Sequence, residues 1–210
     1  MMNFLSQTKI FFEHLNRNVF FLSLAQIFSM TSMNINIITT GLAGFIIAPY
    51  GWLSTFPLSL QFIITMLFTF PCSILMSKYG RKIVFVGGVL SVSTGGLIMT
   101  IALFQKNFYL FCFGSVLLGL GHATNLFYRY AATETVTKNV KPKAMSLVLS
   151  AGLIAALLGP RIYQISADAI LPHLYAGSYL MIAITQLIAL PFIMRIKIPL
   201  PPRSKIGGRK

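Results

Sequence analysis

Acidic side chains are nearly missing from this sequence: Glu13, Glu134 and Asp168 are the only three among 210 residues. None lies inside a long apolar run. A carboxylate metal site and a proton relay through a buried carboxylate therefore both lack a candidate. Charge of either sign is scarce, at 10% of residues against about 25% in soluble domains. So little charge does not cover a soluble surface, which leaves lipid as the solvent for the apolar face. Cysteine is limited to Cys72 and Cys112, both inside apolar runs and near opposite faces of the membrane. That placement excludes a disulfide or thiolate metal framework, and both read as small core-like residues. There is no histidine cluster and no Ser/His/Asp set, so no enzyme, no metal and no cofactor is expected. The alternating segments of about ten residues that mark a membrane β-barrel are also absent.

What is present is apolar length. The chain is 56% hydrophobic, with a mean hydropathy of +0.78. Six runs stand out: Val19 to Ile47, Trp52 to Met76, Ile83 to Phe104, Phe108 to Tyr130, Ala144 to Ile165 and Ser178 to Met194. Each reaches the ~20 residues needed to cross ~30 Å of hydrocarbon. Backbone polar groups in lipid must be satisfied within the segment, so each run is expected to be helical. The expectation is an all-α membrane protein of six transmembrane helices over residues 19–195, with an arm at 1–18 and a tail at 196–210.

The net charge of +14 invites a nucleic-acid reading until the basic residues are placed. All but two of the 17 Lys and Arg fall in the arm, after the second and fourth runs, or in the tail. The exceptions are Lys106 and Arg161, and Arg161 is expected to snorkel to the interface or to attract an anionic solute. This is the positive-inside bias, which puts both termini in the cytoplasm and leaves no role for nucleic acid. Met1 to Asn18 does not read as a signal peptide, because the apolar stretch behind it is too long and lacks a small-residue cleavage site. Phe4, Leu5, Thr8, Phe11, Phe12 and Leu15 share one helical face, the pattern of an interfacial helix. The tail, rich in Pro, Gly and basic residues, is expected to be disordered beside the anionic leaflet.

Small residues recur every fourth position at Gly87, Ser91 and Gly95, at Ser115, Gly119 and Ala123, and at Ala151, Ala155 and Gly159. Such ridges let membrane helices approach closely. Pro160 is expected to bend the fifth helix, as a static kink or as a gating element.

Ser73 to Lys82 reads SILMSKYGRK. Lys78, Gly80, Arg81 and Lys82 in it resemble the loop between the second and third helices of the major facilitator superfamily. Ser73 stands where that pattern has Gly, and Ser77 where it has Asp. Gly159-Pro160 is similar to the family's Gly-Pro motif in the fifth helix, without its following glycines. Arg129 to Glu134 (RYAATE), with the basic loop and SLVLSAGLIAALLGP after it, resembles the fourth-to-fifth-helix stretch of bacterial members. Near LGLG (Leu118 to Gly121), Ser115 stands about where the family has an arginine associated with proton coupling. The resemblance implies the N-terminal six-helix half of a twelve-helix transporter, in which two halves rock around a midplane solute site. It also implies a bacterial inner membrane.

Polar residues within the runs are the site candidates, because buried polar groups in lipid are costly. Asn34, Asn36, Gln61, His122 and Asn125 are the expected cavity lining, and Gln26 is a further polar residue of the first run. The competing reading is hydrogen bonding between helices, worth roughly 0.6 kcal/mol each. Glu134 is expected to pair with Arg81 or Arg129 at the cytoplasmic gate. Partners are a small solute, the lipid bilayer, and a second copy or second six-helix half. The alternatives to a half-length transporter are a truncated, non-transporting six-helix protein and a channel, for which no selectivity-filter segment is visible.

Overall fold

The computed structural model describes residues 17–197. The interfacial helix expected over Phe4 to Leu15 and the tail beyond Lys197 lie outside the described residues. Among the described residues are six helical segments long and apolar enough to cross a membrane, and no strand.

The first span is α1 (Arg17–Ile47), whose 31 residues make about 46 Å of helix. That exceeds the hydrocarbon thickness, so the helix must tilt or project beyond it. A 3-10 turn at Gly51–Leu53 leads into α2 (Phe56–Tyr79), with Pro57 in the first turn, where its missing N–H is no loss. The third span is α3 (Arg81–Phe104). The fourth is interrupted: α4 (Phe108–Asn125) ends in a turn at Leu126 and Phe127 before α5 (Tyr128–Glu134) resumes. The fifth span is α6 (Lys141–Ser166), which stays helical through Pro160, and the sixth is α7 (Ala176–Met194).

Gly80 alone separates α2 from α3. Its N–H donates to Met76 O at 3.0 Å, closing α2, and α3 starts at the next residue. The turn needs φ 87° and ψ 151°, a region that side chains with a Cβ rarely enter. Gly80→Ala is therefore expected to lower stability by about 1–3 kcal/mol. Denaturant unfolding in detergent measures it, and an unchanged midpoint would refute the strained turn.

Neighbouring spans run 5, 1, 6, 3, 4, 2, and α5 reaches across to α6. The second and fifth spans are the least buried. The tightest crossing joins α3 to α4. A Cβ at Gly95 would meet Gly114 O at 2.9 Å, and one at Gly121 would meet Gly88 O at 2.4 Å. Of the expected small-residue row on the third helix, Gly95 is at this crossing, but Gly87 is not. Gly87 has nothing within 4 Å of its Cβ position and opens onto an apolar groove of about 300 Å³ with Phe68, Tyr79, Ile83 and Leu120. Gly88 makes the close approach instead. Seven residues make nearly two turns, so Gly88 and Gly95 lie on one face, and spacing by four does not say which of two adjacent glycines faces inward.

The apolar core has two clusters. One, around Leu22, Cys72, Phe85, Tyr128 and Ile193, lies toward the end that carries Lys78 and Lys82, here called the basic end. The other, around Ile35, Met99, Phe111, Leu118 and Tyr179, lies toward the opposite end. Polar residues buried on α1, α4 and α7 fall between the two in the chain.

Asn18 ties the first span to the chain leaving the sixth. Its amide donates to Lys197 O at 2.8 Å and its carbonyl accepts from Lys197 N at 3.0 Å. Nothing in the local sequence distinguishes Asn18 from a solvated arm residue.

Candidate functional site

The buried polar layer begins with Gln61, 1% exposed on α2. Its carbonyl accepts from Asn36 Nδ2 of α1 at 2.5 Å, and its amide nitrogen faces His122 Nδ1 of α4 at 3.0 Å. Asn36 Oδ1 in turn accepts from Thr40 Oγ1 at 2.9 Å, and Thr40 Oγ1 lies 2.9 Å from the Tyr179 hydroxyl of α7. Four spans are thereby joined by five buried side chains. In an environment without water the alternative to each contact is an unsatisfied polar group, so the network is strongly specified.

Asn34 points elsewhere. Its amide donates to Ala155 O of α6 at 3.1 Å. Gly159 makes this contact possible, because a Cβ there would lie 2.6 Å from Asn34 Cβ. Gly159 thus acts at the crossing of the first and fifth spans, one residue before Pro160. Gln186 of α7 joins α1 separately, donating to Ser32 Oγ at 2.7 Å and accepting from Ser29 Oγ at 3.4 Å.

The sequence singled out Asn34, Asn36, Gln61, His122 and Asn125. The structure brings Asn36, Gln61 and His122 into one network and sends Asn34 to a different helix. Thr40, Tyr179, Ser29, Ser32 and Gln186 were missed. Gln186 carried the same signal as the others, a polar side chain in mid-run. The hydroxyls carried almost none, since serine and threonine in helices commonly bond their own backbone.

Among the described residues, Gln26 Oε1, His122 Nε2, Asn125 Nδ2 and Arg129 Nε are buried polar atoms without a hydrogen-bond partner, and the Tyr128 hydroxyl lies toward Ser29 and Thr124. All are on the first and fourth spans. Buried polar atoms are paired in the great majority of cases, so these unpaired atoms are exceptions within the buried layer. His122 and Asn125, three residues apart on α4, share a face. Apart from Arg129, the set carries no formal charge with His122 neutral.

At the basic end, Arg81 grips Glu134 with both arms of its guanidinium. Nε donates to Oε2 at 2.7 Å and Nη2 donates to Oε1. The pair joins the start of α3 to the end of α5. Of the two partners considered for Glu134, Arg81 makes the contact, while the Arg129 guanidinium lies over the Tyr130 ring at 5.0 Å. Lys78 lies over Tyr79 at 5.3 Å, and Lys82 is exposed. Ser77, in the position where the family pattern has an acid, donates to Ile74 O of its own helix at 2.8 Å. A small pocket of about 140 Å³ beside it is lined by Ser73, Met76, Ser77, Arg81 and Phe127. Ser115 is wholly buried near Met99 of α3. Among the described residues there is no group of three potential metal ligands.

The profile of the Major Facilitator Superfamily matches residues 10–210. The riboflavin transporter of Brucella anthropi is 33% identical over 183 residues, which is 87% of this chain and 46% of that protein. The chain thus spans about half the length of the curated relative it matches. No solved structure matches. Six spanning helices, the turn at Gly80 and a family match over nearly the whole chain agree: this chain belongs to the major facilitator superfamily, and it is an integral membrane protein of a family that transports small solutes.

Proposed function

We propose that the chain is one six-helix half, of the N-terminal kind, of an alternating-access transporter for an uncharged, hydrogen-bonding solute, with riboflavin as the first candidate. The observation that carries this reading is the pair of buried, unpartnered polar atoms on α4, His122 Nε2 and Asn125 Nδ2. The sequence reading placed both in the cavity lining, and residues 108–128 of that span contain no Asp, Glu, Lys or Arg. A solute of net charge would leave its own charge uncompensated there. Riboflavin is neutral and offers ring carbonyls and ring nitrogens as acceptors, and the similar protein from Brucella anthropi is named for its transport. The second and fifth spans, the least buried of the six, supply the faces for a second half. That half is a second copy, a separate chain or a further part of one polypeptide. By the positive-inside bias the basic end is cytoplasmic, with both termini on that side, and the likeness to the Brucella anthropi transporter favours a bacterial inner membrane.

The test is riboflavin binding to the purified protein in detergent, followed by flavin fluorescence, with uptake into proteoliposomes measured beside it. Saturable binding weakened about tenfold by Asn125→Leu is expected, the worth of one hydrogen bond to the solute. Unaltered binding in that variant would remove Asn125 from the site, and absence of binding would remove riboflavin from the reading. A folded monomer with neither binding nor flux would favour the alternative, a six-helix membrane protein that does not transport.

In this reading the Arg81–Glu134 pair holds the cytoplasmic side closed. The pair is partly exposed, with side chains 18% and 44% accessible. Glu134→Gln is therefore expected to change stability by less than about 1 kcal/mol. Its effect falls on uptake, because the pair must open and close in each cycle. Uptake equal to that of the unaltered protein would show that the pair is no gate.

A further inference from the structure

The five-residue network has a direction, and that direction decides what the free edge of His122 offers. Thr40 has one proton, and it goes to Asn36 Oδ1, so Thr40 accepts from the Tyr179 hydroxyl. Asn36 gives an amide proton to Gln61 Oε1, which leaves the Gln61 amide nitrogen facing His122 Nδ1. An amide nitrogen donates and does not accept. His122 Nδ1 must therefore be bare, and the neutral ring carries its proton on Nε2. Every bond then runs one way, from Tyr179 through Thr40, Asn36 and Gln61 to His122.

We infer that this chain locks His122 in the Nε2–H tautomer, so that His122 offers a hydrogen-bond donor beside the Asn125 amide and favours solutes presenting a neutral acceptor to it, a carbonyl oxygen or an unprotonated ring nitrogen. The part about the solute rests on the function proposed above; the part about the tautomer does not.

Only one other arrangement satisfies the interior contacts. Both amides turn over, the histidine proton moves to Nδ1, and Thr40 accepts from Asn36. Thr40 then either donates to Tyr179, which strands the Tyr179 proton at a site with no exposure, or accepts from Tyr179 as well, which turns its own buried proton away from both partners. A mixed arrangement sets two donors or two acceptors face to face within the network. The tautomer is thus a property of the whole chain of bonds, and Tyr179, on the sixth span, positions a proton on the fourth.

The lock is read directly from ring-nitrogen resonances. The full chain, labelled with ¹⁵N-histidine in lipid nanodiscs and carrying His14→Gln and His173→Gln, leaves His122 as its one histidine. The expected spectrum at neutral pH shows a protonated Nε2 and a bare Nδ1. Gln61→Leu removes the donor to Nδ1 and is expected to give a mixture of the two tautomers. Tyr179→Phe removes the first donor of the chain and is expected to do the same. A bare Nε2 in the unaltered protein, or the same single tautomer in both variants, overturns the lock.

Riboflavin binding to the same samples tests the selectivity. Gln61→Leu is expected to weaken it about twofold, because roughly half of the protein then presents an acceptor at His122. Unchanged affinity together with a mixture of tautomers overturns the donor role of His122 while the lock stands. If riboflavin fails to bind even the unaltered protein, flavin is lost as the solute and the spectra still decide the lock.

Discussion

Gln61→Leu is expected to destabilise the bundle by about 2–4 kcal/mol, although leucine is the better residue for a membrane helix by hydropathy. The substitution removes two hydrogen bonds at once. If each were worth only the roughly 0.6 kcal/mol average for contacts between membrane helices, the loss would be near 1 kcal/mol and the apolar side chain would offset part of it. The groups left behind decide the outcome. Asn36 Nδ2 loses its acceptor and His122 Nδ1 its donor, both in side chains no more than 2% exposed. A stranded buried polar group costs about 1–3 kcal/mol. Adding Asn36→Leu removes one stranded partner but takes the acceptor from Thr40, so the double variant should lose less than the sum of the two single variants. Unfolding of all four proteins in detergent gives the cycle. Simple additivity would mean that Gln61 and Asn36 do not depend on each other in the folded state.

The same contrast shows what the sequence could and could not disclose. The spans were legible because a 20-residue apolar run in lipid has one way to satisfy its backbone. Gly80 was legible because a glycine between two such runs, beside a basic cluster, has little to do except turn the chain. The membership of the polar layer was half legible. Asn36, Gln61 and His122 stand out as amide and imidazole groups inside apolar runs, but run order does not say that α2 and α7 both reach α1 at that depth. Thr40 was hidden because a helical threonine can satisfy itself on its own backbone, and here it does not. Tyr179 was hidden because a tyrosine near the start of a span reads as an interfacial anchor. The Glu134 partner was undecidable between two arginines, since the choice depends on where α5 ends against α3. In each case the missing information is the rotation of one helix against another, which composition does not encode.

Helix rotation also sets the other large effect, at the crossing of α3 and α4. Gly121→Val is expected to lower stability by about 3 kcal/mol or more, the upper range for overpacking a filled interior. Its Cβ would meet Gly88 O at 2.4 Å and Val92 Cγ2 at 2.3 Å. The valine side chain can turn, but the carbonyl belongs to the α3 backbone. Relief requires the two helices to separate along the whole contact, which also loosens Gly95 against Gly114. The comparison that isolates this mechanism is Gly87→Val, which makes the same chemical change on the same pair of helices. Gly87 meets nothing within 4 Å and faces the apolar groove, so its substitution should leave stability within about 0.5 kcal/mol. Both variants lose glycine flexibility and gain the same β-branched side chain, and they differ in what that side chain meets. Equal thermal midpoints for the two in detergent would show that the crossing is not packed backbone against backbone. A large loss confined to Gly121→Val would establish that it is.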